Sequence, residues 1–220
     1  MLLLQDDNLI YPNRGPGHVV GYIVNMPIGG VPGTRVKVEN KEINLFCSGH
    51  AFMPDGRLLF TGGHIAQNYG DSGTAIFDYR NNSWETNTSL PHDYARWYGS
   101  AITLGSGEIL TVAGYVDGQN DTNRLPQIWS STTKFRNLTG AVRSVENYPS
   151  LFTAPNGRVF RAGPEQQCLW LTTSGSGSWS NAPARKFGGR KYGPCIMYNT
   201  GQIIAIGGGL KTAGDPTNTA

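Results

Sequence analysis

Cys47 and Tyr98 are the two side chains whose types and spacing point most directly to chemistry. A thiol and a phenol are both oxidisable, and each heads a segment of the same design. Cys47 leads toward AFMPDGRLLFTGGH and Tyr98 into SAITLGSGEILTVAGY. In both, a hydrophobic run reaches a tight turn (Asp55-Gly56, Ser106-Gly107) and a second run ends on a small pair (Gly62-Gly63, Ala113-Gly114). Cys47 stands nine residues before Gly56, and Tyr98 nine before Gly107. Tyr148 holds the same position before Asn156-Gly157, and Tyr192 before Thr200-Gly201. Cys, Tyr, Tyr, Tyr in one register occupy equivalent places in four successive units.

The elements that must position them follow from the repeat. Turn glycines 56, 107, 157 and 201 are spaced by 51, 50 and 44 residues. A period of roughly 40–50 residues with four short strands is the signature of a β-propeller, kelch-like in its Gly-Gly pairs and late Trp. A four-stranded blade cannot bury both faces alone, so its neighbours cover it, and paired glycines let the backbones approach closely. The expected fold is all-β: an incomplete kelch-type propeller with about four to five blades of a seven-bladed ring. Its parts are a partial first blade over 1–45, blades over 46–90, 97–140 and 147–182, and a half blade over 190–220. Residues 1–12 read as strand, turn, strand, and HVVGYIV and TRVKV as two further strands around MPIGGVPG. The ends do not combine into one blade, so the chain reads as a piece of a longer propeller.

Composition narrows the function classes. Among 220 residues, 30 Gly and 13 Pro with only 15% charged residues describe a turn-rich β protein rather than a disordered one. A net charge of +3 is small, and the basic run Arg185–Lys191 reads as a solvated loop, so nucleic acid is not an expected partner. No transmembrane run is present, and Met1–Leu4 is too short for a signal h-region. Three cysteines give no disulfide framework; Cys168 and Cys195 read as a pair or as two buried thiols. Asn81, Asn87, Asn120 and Asn137 each open an N-x-Ser/Thr sequon, which agrees with a secreted protein.

In a propeller the innermost strands run along the central axis, so residues in one register at their starts ring one mouth of the channel. Cys47 and Tyr98, from adjacent blades, then meet there. Phenolate and imidazole suit copper(II), and soft sulfur suits oxidation. FCSGHAFMPDGRLLFTGGH, ARWYGSAITLGSGEILTVAGY, YPSLFTAPNGRVFRAGP and the following LTTSGSGSW resemble the copper-radical oxidases, the galactose oxidase and glyoxal oxidase family, from about Leu45 onward. The resemblance implies a thioether bond between Cys47 and the ring of Tyr98, with Tyr98 a copper ligand and the radical site. Copper and the Cys-Tyr radical cofactor would together oxidise a small aldehyde, alcohol or sugar with O2, giving hydrogen peroxide.

Two departures qualify the resemblance. The family's second tyrosine and two histidine ligands come from later blades and a C-terminal domain, so these 220 residues alone are expected not to turn over substrate. Where galactose oxidase stacks a Trp over the radical, this sequence has Ala113-Gly114-Tyr115-Val116. Trp97 or Tyr115 is then the candidate shield, which favours a glyoxal-oxidase-like pocket. Arg143 falls near a substrate-contacting arginine of the family. The family context implies a secreted protein, monomeric when full length.

Plainer readings stand beside these. Cys47 alone is a buried small hydrophobe, and Tyr98 a half-buried inner-strand aromatic. His50 and His64 with Cys47 make a weak zinc pattern; His50 reads better as a loop-orienting group, and His18 and His92 as surface residues. Tyr148 and Tyr192 read as channel lining, and Trp84, Trp129 and Trp179 as blade packing. The alternative function is a non-catalytic kelch-type binding module that has lost the copper site, since propellers host both.

Overall fold

Each hairpin is set by one turn. In Met53–Gly56, Leu104–Gly107 and Ala154–Gly157 the glycine N–H donates to the carbonyl three residues back at 2.9 Å. Gly56, Gly107, Gly157 and Gly201 sit at φ of +83°, +84°, +78° and +69°, a conformation that glycine enters without a Cβ clash. The computed structural model describes residues 2–5, 19–24, 35–87, 94–210 and 215–220. The strand expected at residues 9–11, the link MPIGGVPG, His18 and His92 lie outside the described residues.

Among the described residues, five antiparallel sheets follow one another along the chain, with a sixth, two-stranded ladder inserted in the second. The first has three strands in order, β1 (Leu2–Gln5), β2 (Val19–Val24) and β3 (Arg35–Asn40). The second joins β4 (Gly49–Phe52) and β5 (Leu58–Thr61), which a small ladder of β6 (His64–Ala66) and β7 (Tyr69–Gly70) separates from β8 (Thr74–Asp78) and β9 (Ser83–Asn87). The third runs β10 (Ser100–Thr103), β11 (Ile109–Val112), β12 (Gln127–Ser130), β13 (Lys134–Asn137). The fourth runs β14 (Ser150–Thr153), β15 (Val159–Gly163), β16 (Leu169–Thr172), β17 (Ser178–Asn181), and the last is the hairpin β18 (Cys195–Asn199) and β19 (Gln202–Ala205). No α-helix occurs among the described residues. The architecture is an incomplete β-propeller.

Burial shows why the sheets need one another. All four residues of β5 and all four of β11 are buried, so these strands are covered on both faces. Each core cluster spans two consecutive sheets. Val38 packs with Phe60 and Phe77, Leu59 and Ile76 with Ile109 and Trp129, and Leu110 and Ile128 with Val159 and Leu171. Trp84 and Trp179 pack on fourth strands, whereas Trp129 is on the third strand of its sheet, with Phe135 across from it. Removing one blade would strip its neighbour of apolar cover worth about 1.5–3 kcal/mol per large side chain.

The inner strands β4, β10 and β14 lie side by side. Thr103 Oγ1 donates to the Phe52 carbonyl, and fifty residues on Thr153 Oγ1 donates to the Thr103 carbonyl at 2.8 Å. The Gly62-Gly63 pair explains the close approach behind them. A Cβ on Gly62 would lie 2.3 Å from the Arg96 carbonyl oxygen, and one on Gly63 2.1 Å from that of Asn44. The basic run departs from expectation. Arg190 is buried, donating to the Gly207 and Thr219 carbonyls, and Arg185 is half-buried against the Pro164 and Glu165 carbonyls. These arginines satisfy loop carbonyls and are not a solvated cationic face.

Candidate functional site

Cys47, Tyr98, Tyr148 and Tyr192 share a backbone conformation as well as a register. Their φ values are +63°, +66°, +49° and +59°. Positive φ costs an L-residue of this bulk about 1–2 kcal/mol and persists only where the surroundings hold it. Here the holding bonds are visible: the Tyr98 N–H donates to the Cys47 carbonyl and the Tyr148 N–H to the Tyr98 carbonyl, both at 2.9 Å. The left-handed residue bends the chain from loop into inner strand, two residues before β4, β10 and β14 begin. Consecutive blades are thereby laced in step at one end of the channel.

The side chains converge there. Cys47 is 8% exposed, and it lies near enough to the hydroxyls of both Tyr98 and Tyr148 to help raise both phenols. The Tyr98 ring is sandwiched, with Trp97 on one side at 3.7 Å and 6°, and Tyr148 on the other at 4.5 Å and 25°. Tyr115 lies behind Trp97 at 5.8 Å and 14°, extending the stack to four rings. Of the two candidate shields, Trp97 covers Tyr98 and Tyr115 covers Trp97. Burial, then the nearby Cys47, push the Tyr98 phenol up to about 12. Burial, followed by Cys47 and Tyr98, raises the Tyr148 phenol as well. Both phenols are neutral at pH 7 and available as hydrogen-bond donors to sulfur.

Trp97 is fixed from its far edge. Its indole N–H donates to His64 Nδ1 at 2.9 Å, which places the His64 proton on Nε2. Burial lowers the His64 pKa, favouring the neutral ring that can accept this bond. Beneath it Arg96, 1% exposed, donates to the Ala113 and Leu125 carbonyls and to Gln127 Oε1 at 2.7, 2.6 and 3.0 Å. The R-x-Y triplet thus alternates roles: the arginine ties down the loop, and the tyrosine faces the channel. From sequence, His64 reads only as a member of a weak zinc pattern and Tyr148 as channel lining. The shared register was the available signal for Tyr148; nothing in the sequence marked His64 as the partner of Trp97.

Other candidates are placed apart. Arg143 is exposed, and its side chain makes no hydrogen bond among the described residues. Tyr192 keeps the register but is 65% exposed. His50 lines a groove with Ser48, Ser100, Tyr148 and Leu151, along the inner strands rather than in the stack. Cys168 is buried, Cys195 half-buried, and both are free thiols. Among the described residues no three His, Cys, Asp or Glu side chains gather as metal ligands. The donors at the mouth are phenol oxygens and one thiol, and the nearby His64 Nδ1 is engaged by Trp97. This set fits the phenolate-and-sulfur side of a copper centre.

No protein-family model and no curated protein matches this chain. Among solved structures it is similar to a novel fungal alcohol oxidase with catalytic diversity among the AA5 family, in complex with copper. The TM-score is 0.75 at 22% sequence identity, over 94% of this chain and 45% of that one. The chain therefore spans under half the length of the protein it matches. At this identity the likeness establishes that the five sheets have the fold of that oxidase's β-propeller.

Proposed function

We propose that the chain is the cysteine–tyrosine portion of a secreted copper-radical oxidase, built on a kelch-type propeller. It would act on small primary alcohols or aldehydes with O2 to give hydrogen peroxide. The observation that carries this reading is the meeting of Cys47 and Tyr98 from adjacent blades, under the Trp97 ring. Similarity to a copper-bound alcohol oxidase supports it from the side of the fold. Tyr98 would hold copper through its phenol oxygen, and Cys47 would be joined to the same ring as a thioether. Bound copper would supply one of the two electron acceptors that alcohol oxidation needs, the Tyr98 ring being the other. Trp97 and Tyr148 cover both faces of that ring, keeping water and stray reductants off it. Sulfur on the ring makes it easier to oxidise, so the hole rests on Tyr98 rather than on an outlying tyrosine. Exposed Asn81 and Asn120 leave room for glycans on a secreted protein. Asn137 instead donates to the Tyr94 hydroxyl and accepts from Gln127.

A non-catalytic binding module on the same scaffold is the competing reading, and copper titration separates the two. Copper(II) added under air should give a phenolate-to-copper absorption band in the wild type, absent in Tyr98→Phe and altered in Cys47→Ser. Identical titrations for all three proteins would favour the binding module and sink the oxidase reading.

A further inference from the structure

The Cys47 sulfur is not directed at one phenol alone. It lies near enough to the hydroxyls of Tyr98 and Tyr148 to help raise both phenols, and the two rings lie 4.5 Å apart and 25° from parallel. An oxidised phenol couples to sulfur at the ring carbon next to the hydroxyl-bearing one, so a thiol near two phenols has two rings to choose between. The backbone enforces the arrangement, because Tyr148 N–H donates to the Tyr98 carbonyl and Tyr98 N–H to that of Cys47. Left-handed φ at all three residues aims the side chains to the same end.

We infer that Tyr148 is a second modification site of this centre, a thioether acceptor for Cys47 in competition with Tyr98. The inference rests on the oxidase reading in so far as Cys47 is taken to be oxidatively reactive. For either ring the step balances in the same way. The thiol and the ring C–H are lost, one S–C bond forms, and two protons and two electrons leave. Two equivalents of a one-electron oxidant accept the electrons, and water takes the protons. Stacking lets a hole formed on one ring reach the other, so the ring that captures sulfur is decided by access to the ortho carbon. Tyr98 is covered on both faces by Trp97 and Tyr148, whereas Tyr148 is 39% exposed. The rings thus differ in cover while sharing the thiol.

Peptide mapping after oxidation distinguishes the products. Trypsin releases Cys47 in Glu42–Arg57, Tyr98 in Trp97–Arg124 and Tyr148 in Ser144–Arg158. The full chain is treated with hexachloroiridate(IV), a one-electron outer-sphere oxidant, digested, and analysed for conjugates lighter than the peptide sum by two hydrogens. Both the Cys47–Tyr98 and the Cys47–Tyr148 conjugates are expected. In Tyr98→Phe the Cys47–Tyr148 conjugate should rise several-fold, and in Tyr148→Phe it should vanish while the other persists. A Cys47–Tyr98 conjugate alone, with none to Tyr148 even in Tyr98→Phe, would overturn the inference and leave the oxidase reading standing. No conjugate to either ring would overturn both.

Discussion

Over the described residues, the loop from Arg96 to Asn123 and the loop from Arg190 to Thr217 share one hydrogen-bond frame, 94 residues apart. Trp97 and Tyr115 exchange backbone hydrogen bonds of 2.9 and 2.8 Å, and Lys191 and Gly209 exchange bonds of 2.8 and 2.9 Å. Val116 N–H donates to Asp121 as Leu210 N–H donates to Asp215, and Asn123 bonds Gly114 as Thr217 bonds Gly208. Arg96 caps the Ala113 carbonyl, and Arg190 the equivalent Gly207 carbonyl at 2.9 Å. The side chains on this frame diverge. Trp97 is replaced by Lys191, which pairs with Glu146 at 3.2 Å, and Tyr115 by Gly209. Tyr98 is consequently roofed by an indole and touched by a thiol, while Tyr192 stands 65% exposed with no stacked ring among the described residues. A buried arginine and a left-handed tyrosine are thus common to both loops. The thiol and the stack are what make one copy chemically distinct.

The two arginines give the largest expected effects. Arg96→Met leaves two carbonyls and the Gln127 amide oxygen buried without donors, and should cost about 3–5 kcal/mol in urea unfolding. Arg190→Met should cost no more than about half of that, because the Gly207 and Thr219 carbonyls it serves belong to half-buried residues and can find water. Equal losses would mean that the final loop is as integral as the first. Next come the residues between arginine and tyrosine. Trp97→Ala should lose about 3 kcal/mol, and Lys191→Ala, which removes one half-exposed ion pair, under about 0.5 kcal/mol.

His64 sharpens the contrast further, since no imidazole accompanies Lys191. His64→Leu orphans the Trp97 indole N–H and should destabilise by about 1–2 kcal/mol. His64→Gln, which offers an amide oxygen, should restore much of the loss; failure of that rescue would assign the effect to packing alone. The smallest effect concerns Asp71, whose carbonyl accepts from the Arg96 N–H at 3.0 Å. Burial raises its carboxyl above 3.8, partly offset by the hydrogen bond from the Gly73 N–H. The folded state therefore holds this proton more tightly than the unfolded chain. Its contribution to stability falls as pH rises from about 3.8 through the raised value, and stays lower at neutral pH. Asp71→Asn should remove that shallow slope from a stability–pH curve; an unchanged curve would contradict the assignment.

How much of this was legible in the sequence depended on range. The hairpin turns were readable because glycine at positive φ is a local requirement, and from them followed the register of Cys47, Tyr98, Tyr148 and Tyr192. Contacts across blades were not. The bond from Trp97 to His64 spans 33 residues between two loops, and nothing local to either residue announces it. The sharing of Cys47 by Tyr148 crosses two blades, and Tyr148 alone reads as channel lining. The basic run was misjudged for a related reason, because charge spacing does not reveal that Arg190 reaches the Thr219 carbonyl at 2.7 Å. Tyr115, read from sequence as one of two candidate shields, stacks on Trp97 and is one layer removed from Tyr98.

The proposed oxidase requires Cys47 and Tyr98 to form one redox unit. The most direct test is an atomic-resolution crystal structure of the protein after exposure to copper(II) and air. Continuous density from the Cys47 sulfur to a Tyr98 ring carbon beside the hydroxyl-bearing one, with Trp97 still stacked above, is the expected result. A free Cys47 thiol turned away from Tyr98, with the ring unmodified, would contradict it.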